Sequence, residues 1–305
     1  MYLVSIVIAA YNAERTLKMA VDSVLQQRYE NVEVVVVDDG SVDSTAEICA
    51  SYGDRIRFFR QKNRGSSAAR NLGISKVTGE IVGFLDADDI YLPNKLDQLV
   101  DLFEEYPEAG AVTGAFIQKV QGGEKITPEP GRVFKDGAKH GLIDYFMCEY
   151  RGFWVVHTNT ILVKKTVLEA VGFFNEGLRF GEDVDLWSRI AGRYPLAYLD
   201  EPVAIYDRTN EQSLCYSVSV LDHGLEYLYG RREEKMYISR GRLSSYRLFR
   251  DKILLARLML SIYEKNRACV WGCLKKLNPL PRNIRILIAL AALALPVCLW
   301  PKSLR

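Results

Sequence analysis

Four short apolar runs set the fold class: residues 4–10, 32–37, 56–59 and 81–85, each followed by a stretch long enough for a helix or a turn into one. Uninterrupted β-branched and apolar runs of this length read as strands buried on both faces. Strands alternating with helices specify a mainly parallel sheet with helices on both faces, an α/β architecture. The first helix carries Leu17, Ala20, Val21, Val24 and Leu25 on one side, with Asn12 as a candidate N-cap. A chain of 305 residues with 49% hydrophobic content supports one large domain with an appendage, or two domains.

The fourth run ends abruptly in Asp86-Ala87-Asp88-Asp89. Acids just past the carboxyl end of a strand stand where open α/β sheets bind their ligands. Two carboxylates one residue apart can share a hard divalent cation, and Mg²⁺ prefers one or two carboxylates plus substrate phosphates to a full protein cage. The plainer reading makes Asp88 or Asp89 the cap of a helix starting near Pro93. Two other phosphate-binding devices are excluded. A dinucleotide fold needs G-x-G-x-x-G after the first strand, where this chain has Ala10-Tyr11-Asn12-Ala13, and the G-K-[ST] of a P-loop occurs nowhere.

Five stretches in order carry a resemblance. They are Ser5-Ile6-Val7-Ile8-Ala9-Ala10-Tyr11-Asn12, Val37-Asp38-Asp39-Gly40-Ser41, Asn63-Arg64-Gly65 through Ala69-Arg70-Asn71, the Asp86 cluster, and Gly181-Glu182-Asp183-Val184-Asp185-Leu186-Trp187. Together, over roughly residues 3–215, the chain resembles the inverting glycosyltransferases of family 2, with the GT-A fold. The resemblance implies a nucleotide-sugar donor, with a uridine diphosphate sugar as the family default, and a divalent metal, Mg²⁺ or Mn²⁺. It implies that Tyr11 and the Ala9–Ala10 backbone border the base, that Asp39 accepts from a base N–H, and that Arg70 lies near the base or diphosphate. Asp86 would bind ribose, Asp88 the metal, and Asp183 would be the catalytic base. Each residue also has an ordinary reading. Asp39-Gly40 is a common turn pair, Arg70 a helix charge, Tyr11 a core residue, and Glu182-Asp183 a helix N-terminal acid pair.

The expected organisation is a catalytic domain over 1–215, with a nucleotide and metal half (1–105) and an acceptor half (106–215). A helix over 93–105 precedes the acceptor half, in which 110–116 form a strand, residues 118–140 a flexible excursion over the site, and 154–163 another strand. Trp154 and Trp187 are candidates for stacking on a sugar, with core packing the commoner role. Glu182 and Arg208 are further candidates near the acceptor or diphosphate. The family often has Arg and then His after the stretch matching Ile205-Tyr206, but this chain reads Asp207-Arg208-Thr209, which places Thr209 where the His would stand. His157 reads as structural.

Charge divides the chain unevenly. Residues 230–305 hold 17 Lys and Arg against 4 Asp and Glu, whereas 1–229 carry a net −11. From about 216 the pattern is helical, with Tyr246, Phe249, Ile253, Ala256, Leu260 and Tyr263 recurring as an amphipathic stripe. Residues 286–300 are uncharged and flanked by Arg282, Arg285 and Lys302. A helix of that length spans about 22 Å, short of a hydrocarbon core of about 30 Å, so an interfacial anchor fits better than a spanning one. A basic, apolar tail points to anionic lipid, and no nucleic-acid partner is expected. The six cysteines lack any C-x-x-C pairing, and Met1 to Ala10 lacks a basic n-region. Reduced thiols, no signal peptide and a cytoplasmic body at the inner face of the membrane are therefore expected.

The functional expectation is transfer of a sugar, with inversion, to a hydroxyl of a cell-surface polysaccharide or lipid-linked glycan. Two rivals remain. One is a non-catalytic module that binds a nucleotide sugar, against which Asp183 beside Asp88 argues. The other is a nucleotidyltransferase, which would need a Gly-rich, Lys-containing loop after the first strand that is absent here.

Overall fold

The structure, a computed structural model, describes residues 1–178, 180–209, 236–263, 269, 270 and 273. A ten-stranded mixed sheet runs through both halves of the chain in the order β3-β2-β1-β4-β9-β6-β10-β5, with β7 added to β6 and β8 to β10. The strands are β1 (Val4–Ala10), β2 (Val32–Asp38), β3 (Arg57–Arg60), β4 (Ile81–Asp86), β5 (Ile90–Tyr91), β6 (Ala111–Val120), β7 (Gly123–Thr127), β8 (His140–Ile143), β9 (Leu162–Lys164) and β10 (Leu196–Asp207). Strands β1 to β4 are mutually parallel, as the sequence predicts. The acceptor half is mixed, because β9 enters antiparallel between β4 and β6 while β10 runs parallel to β6.

The helices are α1 (Leu17–Leu25), α2 (Thr45–Ser51), α3 (Ser66–Lys76), α4 (Lys95–Glu105), α5 (Tyr145–Arg151), α6 (Lys165–Val171), α7 (Glu182–Arg193) and α8 (Leu243–Tyr263). They cover both sheet faces, and strand alternation divides the core accordingly. Ile6, Ile8, Val34 and Val36 join Leu17, Leu96 and Phe103 on one side. Val7, Val35, Val37 and Phe84 join Phe146, Phe174, Trp187 and Tyr246 on the other. Gly73 lets α3 lie close on β1, since a Cβ there would overlap the side chain of Val7. That close approach brings Arg70, three residues earlier on α3, down to the carboxyl end of β4.

Several local expectations change. Helix α1 starts after Thr16, and Asn12 is instead a loop residue at φ +49°. Helix α4 follows Asn94, so neither Asp88 nor Asp89 caps it. The predicted strand over 154–163 shrinks to β9. Its front half turns at His157, where the Thr160 hydroxyl accepts from the His157 N–H at 3.0 Å and both Thr160 N–H and Oγ1 reach the His157 carbonyl at 2.9 Å. Side-chain bonds of this kind compete with ladder pairing. The excursion over 118–140 is partly sheet, through the β6–β7 hairpin.

Helix α8 packs on α5 of the catalytic body. Phe146 meets Tyr246 and Phe249 at ring distances of 5.2 and 5.7 Å, and Lys252 Nζ donates to the carbonyls of Glu149 and Tyr150. Its buried stripe continues through Leu254 and Leu258 rather than Ala256, which is exposed. The side chains of Leu260 and Tyr263, and all of 286–300, lie outside the described residues. Among the described residues no helix is long and apolar enough to cross a membrane.

Candidate active site

The parallel register sets Ala9 beside Asp86 and Ala10 beside Asp38, so the loops after β1, β2 and β4 open onto one edge of the sheet. A cleft of about 780 Å³ lies there, with Ala9, Tyr11, Asp86 and Asp88 in its walls. Tyr11 is 52% exposed, which removes it from the core and leaves its ring free to stack. Its loop is stitched to the loop after β2. Asn12 N–H donates to Ser41 Oγ, Ala13 N–H to Thr45 Oγ1 and Glu14 N–H to Asp43 Oδ2, while Val42 N–H returns to Asn12 Oδ1.

Asp39 is employed differently from the implied base contact. It is buried, and its carboxylate accepts from Arg64 N–H at 2.9 Å, Gln61 Nε2 at 2.7 Å and Gly65 N–H at 2.8 Å. It therefore shapes the loop that leads into α3, and a base N–H has only its remaining lone pairs to use.

Arg70 is buried and forks between two carboxylates. One Nη donates to Asp86 Oδ1 at 2.6 Å and the other to Glu182 Oε1 at 3.0 Å, with the guanidinium 5.3 Å from the Phe174 ring centre. Burial opposes its charge, but Asp86 and Glu182 more than offset that and raise its pKa. Arg70 thus ties α3, β4 and α7 together rather than standing free for a diphosphate.

Gly181, at φ +79°, turns the chain into α7 and presents Glu182 and Asp183 in the first helical turn. Asp183 Oδ1 accepts from Val184 N–H at 2.7 Å. Burial raises its pKa, the Val184 bond and Arg70 oppose the rise, and Asp86 adds to it. A carboxylate shifted upward in this way is better matched to taking a proton near neutral pH. Glu149, on α5, is a further carboxyl that the sequence does not single out. Val155 N–H donates to it at 3.1 Å, and burial with Asp183 nearby pushes it up to about 8.

Asp88 is pushed up to about 6, by burial first and then by Asp86 and Asp207. Such a crowd of carboxylates, with Arg70 already committed to Asp86, suits a hard divalent cation. Among the described residues no three His, Cys, Asp or Glu side chains are grouped to hold a metal by themselves. Asp88, on the cleft wall, offers a single carboxylate, which is compatible with a hard divalent cation held otherwise by phosphate oxygens and water.

On the acceptor side Trp154 is 36% exposed and packs edge-on against Phe116 at 5.2 Å and Tyr206 at 6.0 Å. Trp187 offers no surface to a sugar, because it is 1% exposed between Phe84 and Phe174 in the core. Arg208 stays on this side, with its N–H on the Lys119 carbonyl and its guanidinium 6.0 Å from the Tyr206 ring. Thr209 gives both its N–H and its hydroxyl to Asp207 Oδ1, so it caps that carboxylate.

Comparison with known proteins gives the family. Residues 5–166 match the family described as Glycosyl transferase family 2. The chain belongs to glycosyl transferase family 2. An uncharacterized glycosyltransferase of Rickettsia felis is 33% identical over 218 residues, covering 69% of this chain and 35% of that one. The minor teichoic acid biosynthesis protein GgaA of Bacillus subtilis is 31% identical over 197 residues, covering 61% of this chain and 42% of that one. This family 2 chain thus spans less than half the length of either relative. Among solved structures, Staphylococcus aureus TarS 1–349 in complex with UDP superposes with a TM-score of 0.71 at 18% identity, over 95% of this chain and 87% of that one. The mannosyltransferase PcManGT of Pyrobaculum calidifontis, in complex with GDP-Man and Mn²⁺, gives 0.57 at 18% identity, over 97% and 81%. At these identities the two structures speak to the fold, which is GT-A.

Proposed function

We propose that this family 2 chain is an inverting glycosyltransferase that moves a sugar from a nucleoside-diphosphate sugar to an acceptor hydroxyl. The observation that carries the reading is the Arg70 fork, which draws Asp86 and Glu182 together and leaves Asp183 beside them with no salt bridge of its own among the described residues. Asp183 takes the proton of the acceptor hydroxyl. The hydroxyl oxygen then bonds to the anomeric carbon as the bond to the diphosphate oxygen breaks on the opposite face. A double displacement would need a second carboxylate as nucleophile, and Asp86 and Glu182 are both held by Arg70. Tyr11 provides a stacking surface for the base. A divalent ion held by Asp88 would, when bound, neutralise charge on the departing diphosphate.

A uridine nucleotide donor is supported by TarS, solved with UDP and with UDP-GlcNAc, although PcManGT was solved with GDP-Man. A cell-surface polysaccharide or lipid-linked glycan acceptor is supported by the similarity to GgaA, a minor teichoic acid biosynthesis protein. The basic tail and the apolar 286–300 support a peripheral place on the inner membrane face. Nucleoside diphosphate release from a panel of nucleotide sugars tests the reading. One donor should turn over with Mg²⁺ or Mn²⁺, and Asp183→Asn should lower the rate by about 10²–10⁴-fold. Turnover of Asp183→Asn at the wild-type rate would remove the base from the mechanism.

A further inference from the structure

Behind the carboxylates a buried polar circuit joins the donor side to the acceptor side, and Asn159 is its hub. Asn159 is fully buried. Its Nδ2 donates to Asp89 Oδ2 at 2.8 Å and to the Ile205 carbonyl at 3.3 Å. Its Oδ1 lies 2.8 Å from His157 Nδ1, and its carbonyl accepts from Lys95 Nζ at 2.6 Å. A backbone carbonyl only accepts, so the amide turns its NH₂ toward Ile205 and Asp89 and its oxygen toward His157, which then carries its proton on Nδ1. The Asn159 backbone N–H, 3.4 Å from the same His157 nitrogen, is too far to compete.

The circuit closes on itself. The His157 ring lies 4.2 Å from that of Tyr206, and the next residue, Asp207, donates its N–H to Asp89 Oδ1 at 3.1 Å. Asp89 N–H returns to the Asp86 carbonyl at 3.0 Å, which closes the turn that carries Asp88. Asp89 is itself 1% exposed, so it is walled off from the cleft. Its bonds hold the turn, and with it the backbone position of Asp88. Lys95 sits beneath, fully buried, with its Nζ 3.3 Å from the Tyr91 ring centre. A chain of satisfied buried polar groups is rigid, and a partly satisfied one is costly.

We propose that Asn159 is a positioning residue for the divalent cation, acting through Asp89 on Asp88, with His157 fixing the Asn159 amide. The proposal rests on the reading above, in which Asp88 holds the metal. Partners that orient a metal's ligands typically account for about 10–100-fold in metal affinity.

Mn²⁺ titration of the full-length protein in the presence of UDP, with free Mn²⁺ followed by electron paramagnetic resonance, tests it alongside a thermal melt. Asn159→Ala should raise the Mn²⁺ Kd by about 10–100-fold. Asp89→Asn should act in the same direction, and the double variant should be no weaker than the poorer single one, because both act through one contact. His157→Phe keeps a ring against Tyr206 but leaves the Asn159 oxygen without its donor, so it should give a smaller rise and serves if Asn159→Ala does not fold. Wild-type Mn²⁺ affinity in folded Asn159→Ala or His157→Phe, with only the melting temperature lowered, would reduce the circuit to a structural role and overturn the proposal. Wild-type Mn²⁺ affinity in Asp88→Asn would overturn it together with the metal reading, which separates the two failures.

Discussion

Arg70 meets Glu182 across 112 positions of sequence and Asp86 across 16, and the site depends on that convergence. A buried guanidinium between two carboxylates is stable only with both bonds made, since removing one member of such a set costs about 3–5 kcal/mol. Its place was legible in the motif order, but its partners were not, because they depend on how closely α3 settles on β1 over Gly73. Glu149 lies at the other extreme, with nothing in its local sequence to mark it. Held at about 8 in the folded protein, it stays protonated through neutral pH, whereas an unfolded Glu titrates near about 4.3. Its contribution to stability is thus full below the unfolded value and is lost as pH rises through about 8. Glu149→Gln keeps an acceptor for Val155 N–H and removes the titration. Between about pH 5 and about pH 9 the wild-type melting temperature should fall more steeply than that of the variant. Parallel curves would show that Glu149 does not titrate in this window.

Elements were legible where apolar periodicity and covalent order agree. Strands β1, β2 and β4 fall close to their expected bounds, because a run dominated by β-branched and apolar residues has few alternatives. The stretch over 154–163 misled because its centre, His157-Thr158-Asn159-Thr160, is polar but buried, and its side chains take the bonds a ladder would have made. Those four residues, set in an apolar run, were the available signal for the Asn159 circuit. Helix α8 keeps its expected amphipathic character, yet it turns that face to α5, with Tyr246 and Phe249 buried. The proposal of lipid binding then rests on the apolar 286–300 alone. Removing residues 280–305 should release the protein from vesicles rich in anionic lipid, measured by co-sedimentation. Undiminished binding of the truncated chain would dismiss the anchor.

At the scale of the molecule, one mixed sheet spans both halves, so the carboxyl ends of β1 and β4 and the N-terminus of α7 keep fixed relative positions. The cleft at that edge has Tyr11, Asp86 and Asp88 in its walls, and Arg70 links Asp86 to Glu182, the neighbour of Asp183. The chain carries an acidic body and a basic tail, and under the proposed function the tail would face an anionic surface. The central claim is a single displacement assisted by Asp183. The most direct test is the anomeric configuration of the sugar at the moment of its release or transfer, read by proton nuclear magnetic resonance before the anomers equilibrate. The account predicts a product whose configuration is opposite to that of the donor. A product of the same configuration would require a covalent or front-face route and would contradict it.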